Sequence, residues 1–419
     1  MNVQMSMIQK DTQRPVVIIS IITALCLLGD SMLYIVLPIY WKEVGLNALW
    51  EVGVLLSINR LVRLPMTPLI GLLYRKISLR KGLIFAVILA VVTTIGYGVF
   101  KGFLMWLILR SIWGIAWSFL RMGGYLSVIN YSDKSNRGLL MGRYNGISRL
   151  GSLVGMLVGG VLVPLFGIQT VSIAFGLLII AGIPFVSIYV ANTKVNDSKD
   201  AEVQEKRIKQ QVIWTKPVMK IISTSLIVNL MIAILSATVS LLIDTNYSKP
   251  LMFMGFVVTS TMLSGLLQAA RWAWEPFLAT WVGYRSDGPR GRIPIFILVL
   301  IGSAIGYALV PWHFPIYVWC GIILFIFANS TALSTLMDAM ASDVARHSSV
   351  VTVMTVYSVA ADVGSALGPM LIYLLMNLSH GMIYMYIGSA LTFLLLALWQ
   401  RPNLIAKFMI FTSGKSVRR

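Results

Sequence analysis

The hydrophobic and polar positions of the chain fall into long blocks, in which apolar runs are separated by short polar loops. A helix needs about 20 apolar residues to cross the hydrocarbon core of a bilayer. Twelve segments reach that length: 16–40, 48–73, 82–100, 103–130, 146–167, 170–191, 218–243, 252–282, 293–310, 316–340, 350–377 and 381–400. The pattern therefore predicts an all-α membrane protein with twelve transmembrane helices.

One polar stretch is longer than the other loops. It reads NTKVNDSKDAEVQEKRIKQQVIWTKP and separates two groups of six predicted helices. We expect four parts: an N-terminal half at 1–191, a linker at 192–217, a C-terminal half at 218–400 and a basic tail at 401–419.

The positions of lysine and arginine predict how these helices are oriented. Outside the predicted spans, nearly all of them fall on the side of the N-terminus and the linker, and the exceptions are Lys42, Lys101 and Lys249. Loops rich in lysine and arginine stay in the cytoplasm. Both termini are therefore expected to be cytoplasmic, in a multi-pass protein of the cell membrane, which for this class means a bacterial inner or cytoplasmic membrane.

Composition agrees with a membrane location and argues against several other classes. The chain is 58% hydrophobic and 12% charged, whereas soluble domains are about half apolar and a quarter charged. Its net charge of +19 lies mostly in the loops, so it does not predict a nucleic-acid-binding domain. The two cysteines and three histidines form no disulfide framework or metal cluster. We expect no cofactor, no metal, no enzymatic activity and a monomer.

The two halves contain related sequences. NRLVRLPMTPLIG in helix 2 aligns with ARWAWEPFLATWVG in helix 8, and this alignment places Arg60 on Arg271. YNGISRLGSLVG in helix 5 aligns with YSVAADVGSALG in helix 11, and there Arg149 falls on Asp362. Such self-similarity indicates an internal duplication.

Short motifs link these halves to a known family. Arg110 and Gly114 match the R-x-x-x-G signature that proton-coupled members carry on helix 4. The helix 5 glycine motif and its helix 11 counterpart comprise Gly151, Gly155, Gly159, Gly160, Gly364, Gly368 and Pro369. With twelve spans and a duplicated half, the whole chain resembles the major facilitator superfamily and, within it, the drug:proton antiporter branch.

Two positions depart from the pattern of that branch. Met156 stands at the proline of the helix 5 motif, and Arg75 stands at the acidic position of the loop between helices 2 and 3. The second copy of that loop, GYRSDGPRGR, keeps Asp287. Small residues every four positions allow two helices to approach closely. The resemblance implies that the glycine stripe of helix 5 packs against helix 8.

The resemblance also implies partners for the charges within the spans. An arginine facing lipid at a helix centre costs about 2.5–3.5 kcal/mol on insertion scales. In this fold helix 2 meets helix 11 and helix 5 meets helix 8, so Asp362 is the expected partner on helix 11 and Glu275 the expected partner on helix 8. The expected cytoplasmic gate comprises Arg60, Arg63, Arg149, Arg271, Glu275, Asp287 and Asp362. Its ion pairs would either close when the protein faces outward and break when it faces inward, or pair statically and orient the helices.

In this fold helices 1, 4, 7 and 10 line a central cavity. Asp30 lies near mid-depth of helix 1, and we expect it to couple transport to protons together with Arg110. Alternatively, Asp30 is a counter-charge for the substrate or only a structural partner of Arg110. Trp113, Trp117, Arg121, Asn229 and Asn329 are the expected cavity residues. Aromatic rings with few polar groups favour a mostly apolar ligand, although the same residues also suit ordinary helix packing, and Arg121 suits either an anionic substrate or the inner interface.

The leading functional hypothesis is proton-coupled efflux of a small organic molecule by a secondary active transporter in the lipid bilayer. An alternative keeps the fold and changes the cargo to an anionic metabolite or metallophore, because arginines outnumber carboxylates within the spans. A non-transporting membrane receptor or scaffold would instead predict a large soluble domain, which the sequence lacks.

Overall fold

The computed structural model describes residues 2–132, 137–192, 215–247, 251–253, 256–286, 291–345, 350–376 and 378–400. Its helices are α1 (Asn2–Tyr40), α2 (Leu49–Lys76), α3 (Leu79–Val99), α4 (Phe103–Tyr131), α5 (Arg137–Ile180), α6 (Gly182–Tyr189), α7 (Lys216–Asn246), α8 (Ser260–Ser286), α9 (Arg292–Leu309), α10 (Ile316–Ala345), α11 (Val350–Leu375) and α12 (Gly381–Gln400). Most of the linker, the loop with Asp287 and the basic tail lie outside the described residues.

Helix α5 contains the boundary that the sequence predicts between its fifth and sixth spans. Gly167 interrupts the helix with a φ of 79°, a left-handed conformation that glycine adopts without steric cost. The arm before Gly167 forms the fifth segment, and the arm after it continues into α6 as the sixth. Helices α1 and α5 begin earlier than predicted, because their polar N-terminal turns extend the apolar segments.

The eighth predicted segment is not helical throughout. Residues 252–282 were expected to form one helix, but β1 (Leu251–Phe253) and β2 (Phe256–Val258) form an antiparallel hairpin before α8. The register pairs Leu251 with Val258 and Phe253 with Phe256. A short apolar run does not distinguish a strand from a helix by hydropathy alone, and the valine and aromatic residues of this run favour a strand.

The described residues contain nine helical runs that are long and apolar enough to cross a membrane, with α5 and α6 counted as one run. Helices α2 and α8 are not among them. They carry Arg60 and Arg63 in α2, and Arg271 and Glu275 in α8. These charges lower the hydropathy of both helices, which therefore need polar partners inside the protein.

Helices of the same half pack closely through glycine. A Cβ at Gly155 would lie 2.5 Å from the carbonyl oxygen of Leu28 in α1, and Gly151 and Gly159 also face α1. In the second half, a Cβ at Gly368 would lie 2.7 Å from the carbonyl oxygen of Leu230 in α7. The expectation that the helix 5 stripe packs against helix 8 is therefore wrong: three of its glycines recur every four residues and share the face toward α1.

Only the next position, Gly160, faces α8, because one further residue turns the helix by about 100°. A Cβ at Gly160 would lie 2.6 Å from the carbonyl oxygen of Thr261, and the hydroxyl of Thr261 donates to the carbonyl of Gly160 at 3.1 Å. Gly265 in turn approaches the carbonyl of Met156. In the other crossing between the halves, Gly53 of α2 approaches the carbonyl of Pro369 in α11.

These two crossings are tight at one end of the bundle and open at the other. Gly142, Gly283 and Gly71 lie five helical turns from Gly160, Gly265 and Gly53, on the same faces. Apart from the glycine's own stretch of helix, no described atom lies within 4 Å of a Cβ placed at Gly142 or Gly283, and at Gly71 only Met122 of the same half does. The crossing helices therefore separate toward the end at which α1 begins.

The apolar core follows the same division. One buried cluster joins α7–α12 to the later part of α1 and the first part of α2, including Met32 and Leu55. A second cluster, which includes Ile22 and Phe119, contains residues of the first half alone. The two halves therefore share a core at the end where α1 finishes and leave a space between them toward the other end.

Candidate functional site

A cavity of about 410 Å³ lies between the two halves. Side chains of α1, α2, α4 and α5 line it from the first half, and side chains of α7, α8 and α11 line it from the second. No residue of α10 lines it within the described part of the chain. The helices expected around the cavity are thus only partly those observed, since the crossing helices replace α10.

The lining is polar and strongly basic. Five arginines face the cavity, namely Arg60, Arg63, Arg121, Arg149 and Arg271, and Asp30 is the only carboxylate that does so among the described residues. The aliphatic lining residues are Leu27, Met156, Ile232 and Ala233, and the others are polar or aromatic. The lining holds more polar and charged side chains than the few polar groups on which the expectation of a mostly apolar ligand was based.

The pair formed by Asp30 and Arg110 borders this cavity. Arg110 is fully buried, and its Nη1 forms an ion pair with the Asp30 carboxylate. Its Nε donates to the carbonyl oxygen of Leu55 at 2.9 Å, while Asn59 donates to the Asp30 carboxylate at 3.4 Å. The aspartate side chain keeps 13% of its surface exposed. Arg110 is thus held by the protein, and the carboxylate remains reachable from the cavity.

Asp362 joins the halves at the α2–α11 crossing. Arg63 Nη2 lies 3.1 Å from its Oδ1, and Arg121 Nη1 lies 3.7 Å from its Oδ2. Arg121 also donates to the hydroxyl of Tyr125 at 3.3 Å. Of the two arginines expected to pair with Asp362, the structure brings Arg63 to it, and Arg121 takes the second place because α4 reaches the same carboxylate.

Glu275 joins the halves at the α5–α8 crossing, where it forms an ion pair with Arg149. The Arg149 side chain is 55% exposed, and its guanidinium lies 5.7 Å from the ring centroid of Trp272. This is the pairing expected from the sequence, with the arginine on α5 and the carboxylate on α8. Both crossings take the arginine from the first half, but the repeat relates α2 to α8 and α5 to α11, so the arginine and the carboxylate occupy exchanged positions in the two crossings.

Both crossing pairs are formed although the helices separate toward the end where α1 begins. In the orientation expected from the loops, that end is cytoplasmic. Arg63 and Asp362 lie near the middle of their helices, so they sit between the tight end and the open end. The pairs therefore do not lie at the open end, and the expectation that they close and break as a gate stays a prediction.

Arg60 and Arg271 are arranged differently from the other arginines of the cavity. Among the described residues, neither forms an ion pair with a carboxylate. Arg60 donates from Nε to the hydroxyl of Tyr34 at 3.3 Å, and Arg271 donates from Nη1 to the hydroxyl of Ser236 at 3.5 Å. Nε of Arg271 is buried without a hydrogen-bond acceptor in the described protein.

The remaining predicted site residues divide into three groups. Trp113 and Trp117 line the cavity with ring centroids 6.5 Å apart, and Asn229 also lines it. Asn329 is a correction, because it lies against Gly302 of α9 and donates to the carbonyl of Phe325 at 3.0 Å, away from the cavity. Asp287 lies outside the described residues.

Several cavity residues were not anticipated from the sequence. Tyr34 follows Asp30 by one helical turn and contacts both Arg60 and Arg110. Asn59 precedes Arg60 and reaches Asp30. Because Tyr34 lies four residues after Asp30, both fall on one face of α1, and Tyr34 could have been predicted from the sequence. The contact of Asn59 with Asp30 could not, since it depends on how α1 and α2 pack.

Comparison with known proteins identifies the family. The profile described as Major Facilitator Superfamily matches residues 19–369. The chain belongs to the Major Facilitator Superfamily. No curated protein matches the sequence in a direct search.

Solved structures share the fold of this chain. A bacterial homologue of the human lysosomal transporter Spinster, in an inward-facing and unoccupied conformation, matches with a TM-score of 0.73 and 13% identity over 92% of this chain and 95% of that one. The inward-facing, occupied conformation matches with a TM-score of 0.70 and 14% identity, with the same coverage. At these identities the likeness establishes the fold alone.

Membership of the Major Facilitator Superfamily makes the chain a multi-pass membrane transporter of a small molecule rather than an enzyme. The cavity lies at the interface between the halves, which is where transporters built from repeats bind their cargo. The residues described above are therefore candidates for cargo binding and for coupling.

Proposed function

We propose that this protein is a proton-coupled secondary transporter that exports a small organic molecule by alternating access. The observation that carries the proposal is the buried Asp30–Arg110 pair at the wall of a cavity between the two halves. Intramembrane carboxylates of this kind are costly to retain, so they are functional candidates.

The coupling follows from what a proton does to this pair. An ionised Asp30 compensates the charge of Arg110, which otherwise has the Leu55 carbonyl as its hydrogen-bond acceptor in the described protein. A proton on Asp30 removes that compensation and leaves a buried guanidinium without a counter-charge, which is unfavourable. The two protonation states thus favour different arrangements of α1, α2 and α4, and a ligand that prefers one state is exchanged for the proton.

The orientation and the access path belong to the same proposal. Twelve spans with both termini in the cytoplasm place the open end of the bundle on the cytoplasmic side, in agreement with the distribution of lysine and arginine. The cavity then receives cargo from the cytoplasm. The Spinster homologue is described as inward-facing in both matched conformations, which fits the same direction of opening.

The proposal gives the expected gate residues a different role. Arg63–Asp362 and Arg149–Glu275 connect the halves at mid-depth, so we propose that they limit how far the halves separate. Closure of the cytoplasmic end then brings the faces of Gly142 and Gly283 together. The monomer is sufficient for this cycle, because both halves of the cavity come from one chain.

The proposal predicts that the Asp30→Asn variant loses proton exchange. Inside-out vesicles with an acidic lumen would be exposed to lipophilic cations and, separately, to carboxylate-rich chelators, while a dye reports luminal pH. In wild-type vesicles we expect an accepted compound to release protons from the lumen, and in Asp30→Asn vesicles we expect that signal to fall to background, because an amide cannot exchange a proton.

The matched control is Asp244→Asn, whose carboxylate accepts a hydrogen bond from Ser260 at 3.0 Å outside the cavity. Counterflow of the same labelled compound requires no net proton movement, so it should persist in Asp30→Asn and shows that the variant is folded. Proton release that survives in Asp30→Asn would refute the coupling, and wild-type counterflow without proton release would show a transporter that is not proton-coupled.

A further inference from the structure

We propose that Arg60 and Arg271 together bind an organic anion with two separate acidic groups, of the dicarboxylate type. The inference rests on the proposed function, because it names the class of cargo that the cavity accepts. Both arginines were expected to belong to a gate. Their contacts in the structure instead favour a role in binding the ligand.

The first argument is that neither of these two guanidinium groups forms a direct ion pair with a carboxylate among the described residues. Arg63, Arg110, Arg121 and Arg149 each form an ion pair with a carboxylate. Arg60 and Arg271 line the same cavity and make hydrogen bonds only to hydroxyl groups within the described residues. A guanidinium in a low-dielectric interior is costly without a counter-charge. A bound anion pairs directly with such a guanidinium, whereas a neutral or cationic cargo does not.

The second argument concerns the atoms that remain available. The hydrogen bond of Arg60 uses Nε, so both terminal nitrogens are left without an acceptor in the described part of the protein. Arg271 uses Nη1 for a bond at the long limit of 3.5 Å, and its Nε has no acceptor there. A guanidinium fork binds a carboxylate through two parallel hydrogen bonds. Each arginine therefore retains the donors that such a contact requires.

The third argument is position. Arg60 comes from α2 in the first half and Arg271 from α8 in the second, and the sequence repeat aligns them. Each lies about two helical turns from the glycine that forms its tight crossing, Gly53 for Arg60 and Gly265 for Arg271. The two donors thus face the cavity from opposite halves at similar depth. One molecule with two separated acidic groups can contact both halves at once.

The surroundings favour the same class of ligand. Even with Asp362 and Glu275 counted alongside Asp30, arginines outnumber carboxylates around the cavity. Ser236 and Gln268 lie beside Arg271, and Asn59 lies beside Arg60. These side chains offer hydrogen bonds to the uncharged polar parts of an organic acid.

The test is a binding measurement on the purified full-length protein in lipid nanodiscs without any ion gradient. The probes are glutarate, citrate, butyrate, dimethyl glutarate, inorganic phosphate and tetraphenylphosphonium, compared by thermal shift and by equilibrium binding. We expect glutarate or citrate to bind, and butyrate, the neutral diester and the cation to bind far more weakly. Because a hydrogen bond to a charged group is worth a factor of about ten to a hundred in affinity, either Arg60→Gln or Arg271→Gln should weaken dicarboxylate binding by that factor, to the level of butyrate.

The control variant is Arg80→Gln, because Arg80 donates to the carbonyl of Val190 away from the cavity. Arg60→Lys and Arg271→Lys keep the charge and remove the guanidinium fork, so they should bind dicarboxylates with intermediate affinity. If a glutamine variant does not fold, the lysine variant at the same position replaces it in the test. Dicarboxylate binding that is unchanged in either glutamine variant would overturn the proposal. So would a failure of every carboxylate to bind the wild-type protein.

Two further outcomes are informative about the class of ligand. Inorganic phosphate that binds as tightly as glutarate and requires both arginines would overturn the requirement for two separate groups. Tight binding of tetraphenylphosphonium, with no response to the anions, would overturn the anionic cargo while leaving proton-coupled export intact. Conversely, a vesicle experiment without proton release leaves the binding result unaffected, so the two proposals fail separately.

Discussion

The α2–α11 and α5–α8 crossings connect the same two halves and are related by the internal repeat, yet their ionic contacts differ. At the α2–α11 crossing, the carboxylate of Asp362 lies between Arg63 and Arg121, and the Arg63 side chain is 13% exposed. At the α5–α8 crossing, the carboxylate of Glu275 forms one ion pair within the described residues, with Arg149, which is 55% exposed.

This difference shows that duplication preserved the geometry of the crossings and not the placement of charge. In each crossing a glycine on one helix approaches the backbone of the other, so both are tight at the same end of the bundle. The carboxylate, however, lies on α11 in one crossing and on α8 in the other. A single charge substitution should therefore act more strongly at the α2–α11 crossing, where more buried charge depends on one carboxylate.

The largest expected effect comes from filling the tight contacts themselves. Gly160→Leu and Gly53→Leu each place a side chain against a carbonyl oxygen, 2.6 Å and 2.7 Å from the position of the new Cβ. Overpacking of this kind costs about 1–3 kcal/mol or more, so we expect both variants to melt at lower temperature and to lose transport.

The matched control is Gly142→Leu, which adds the same side chain on the same face of α5 where the structure leaves open space. Its melting temperature should equal that of the wild type or exceed it, since leucine favours a helix more than glycine does. Equal destabilisation by Gly142→Leu and Gly160→Leu would show that the crossing is not tight at one end only.

The next largest effect compares the two carboxylates. Asp362→Asn removes the counter-charge of Arg63 and Arg121, and we expect a loss of about 1–3 kcal/mol because charged groups are left without a partner. Glu275→Gln removes the one ion pair of the more exposed Arg149, and we expect less than about 1 kcal/mol. Unfolding of the purified variants in denaturant or by heat would measure both.

Asp343→Asn is a suitable reference for this pair, since Asp343 forms an ion pair with Arg292 away from the crossings and is 48% exposed. It should resemble Glu275→Gln. A greater loss for Glu275→Gln than for Asp362→Asn would reverse the ranking of the two crossings.

The smallest effect concerns the aromatic ring at the α5–α8 crossing. Trp272 lies 5.7 Å from the guanidinium of Arg149 and 5.6 Å from that of Arg271. Removing the ring in Trp272→Leu should cost about 0.5–1 kcal/mol for a partly exposed cation–π contact, and Trp272→Phe should fall between leucine and the wild type. Identical melting temperatures for the two variants would exclude a contribution from the ring.

The parts of the site that could be predicted from sequence are those fixed by charge and by the repeat. Arg149 and Glu275, and Arg63 and Asp362, were matched because the resemblance to the family implies that helix 5 meets helix 8 and helix 2 meets helix 11, and because charges within apolar helices need partners. The pair of Asp30 and Arg110 followed from the family motif at Arg110. Each of these inferences used a residue that is expensive to bury, which limits the number of possible neighbours.

Other features depended on details that a one-dimensional pattern does not contain. The glycines at 151, 155 and 159 predict a close helix approach, but a stripe of small residues does not specify the partner, and α1 rather than α8 fills it. Asn329 shows the same limit, because a single polar residue on a long helix faces the cavity only if the rotation of that helix is known. The hairpin before α8 was missed because hydropathy is the same for a strand and a helix.

The positions of the crossing pairs along the chain have a consequence for how the protein is made. Synthesis proceeds from the N-terminus, so Arg149 is already present when Glu275 emerges 126 residues later. Arg63 must wait 299 residues for Asp362. During that interval α2 enters the bilayer with only first-half neighbours, such as Tyr34 beside Arg60. The ion pair of Arg63 therefore forms only when the last third of the chain is made. A protein truncated before α11 should accordingly be less stable in the membrane than the full chain.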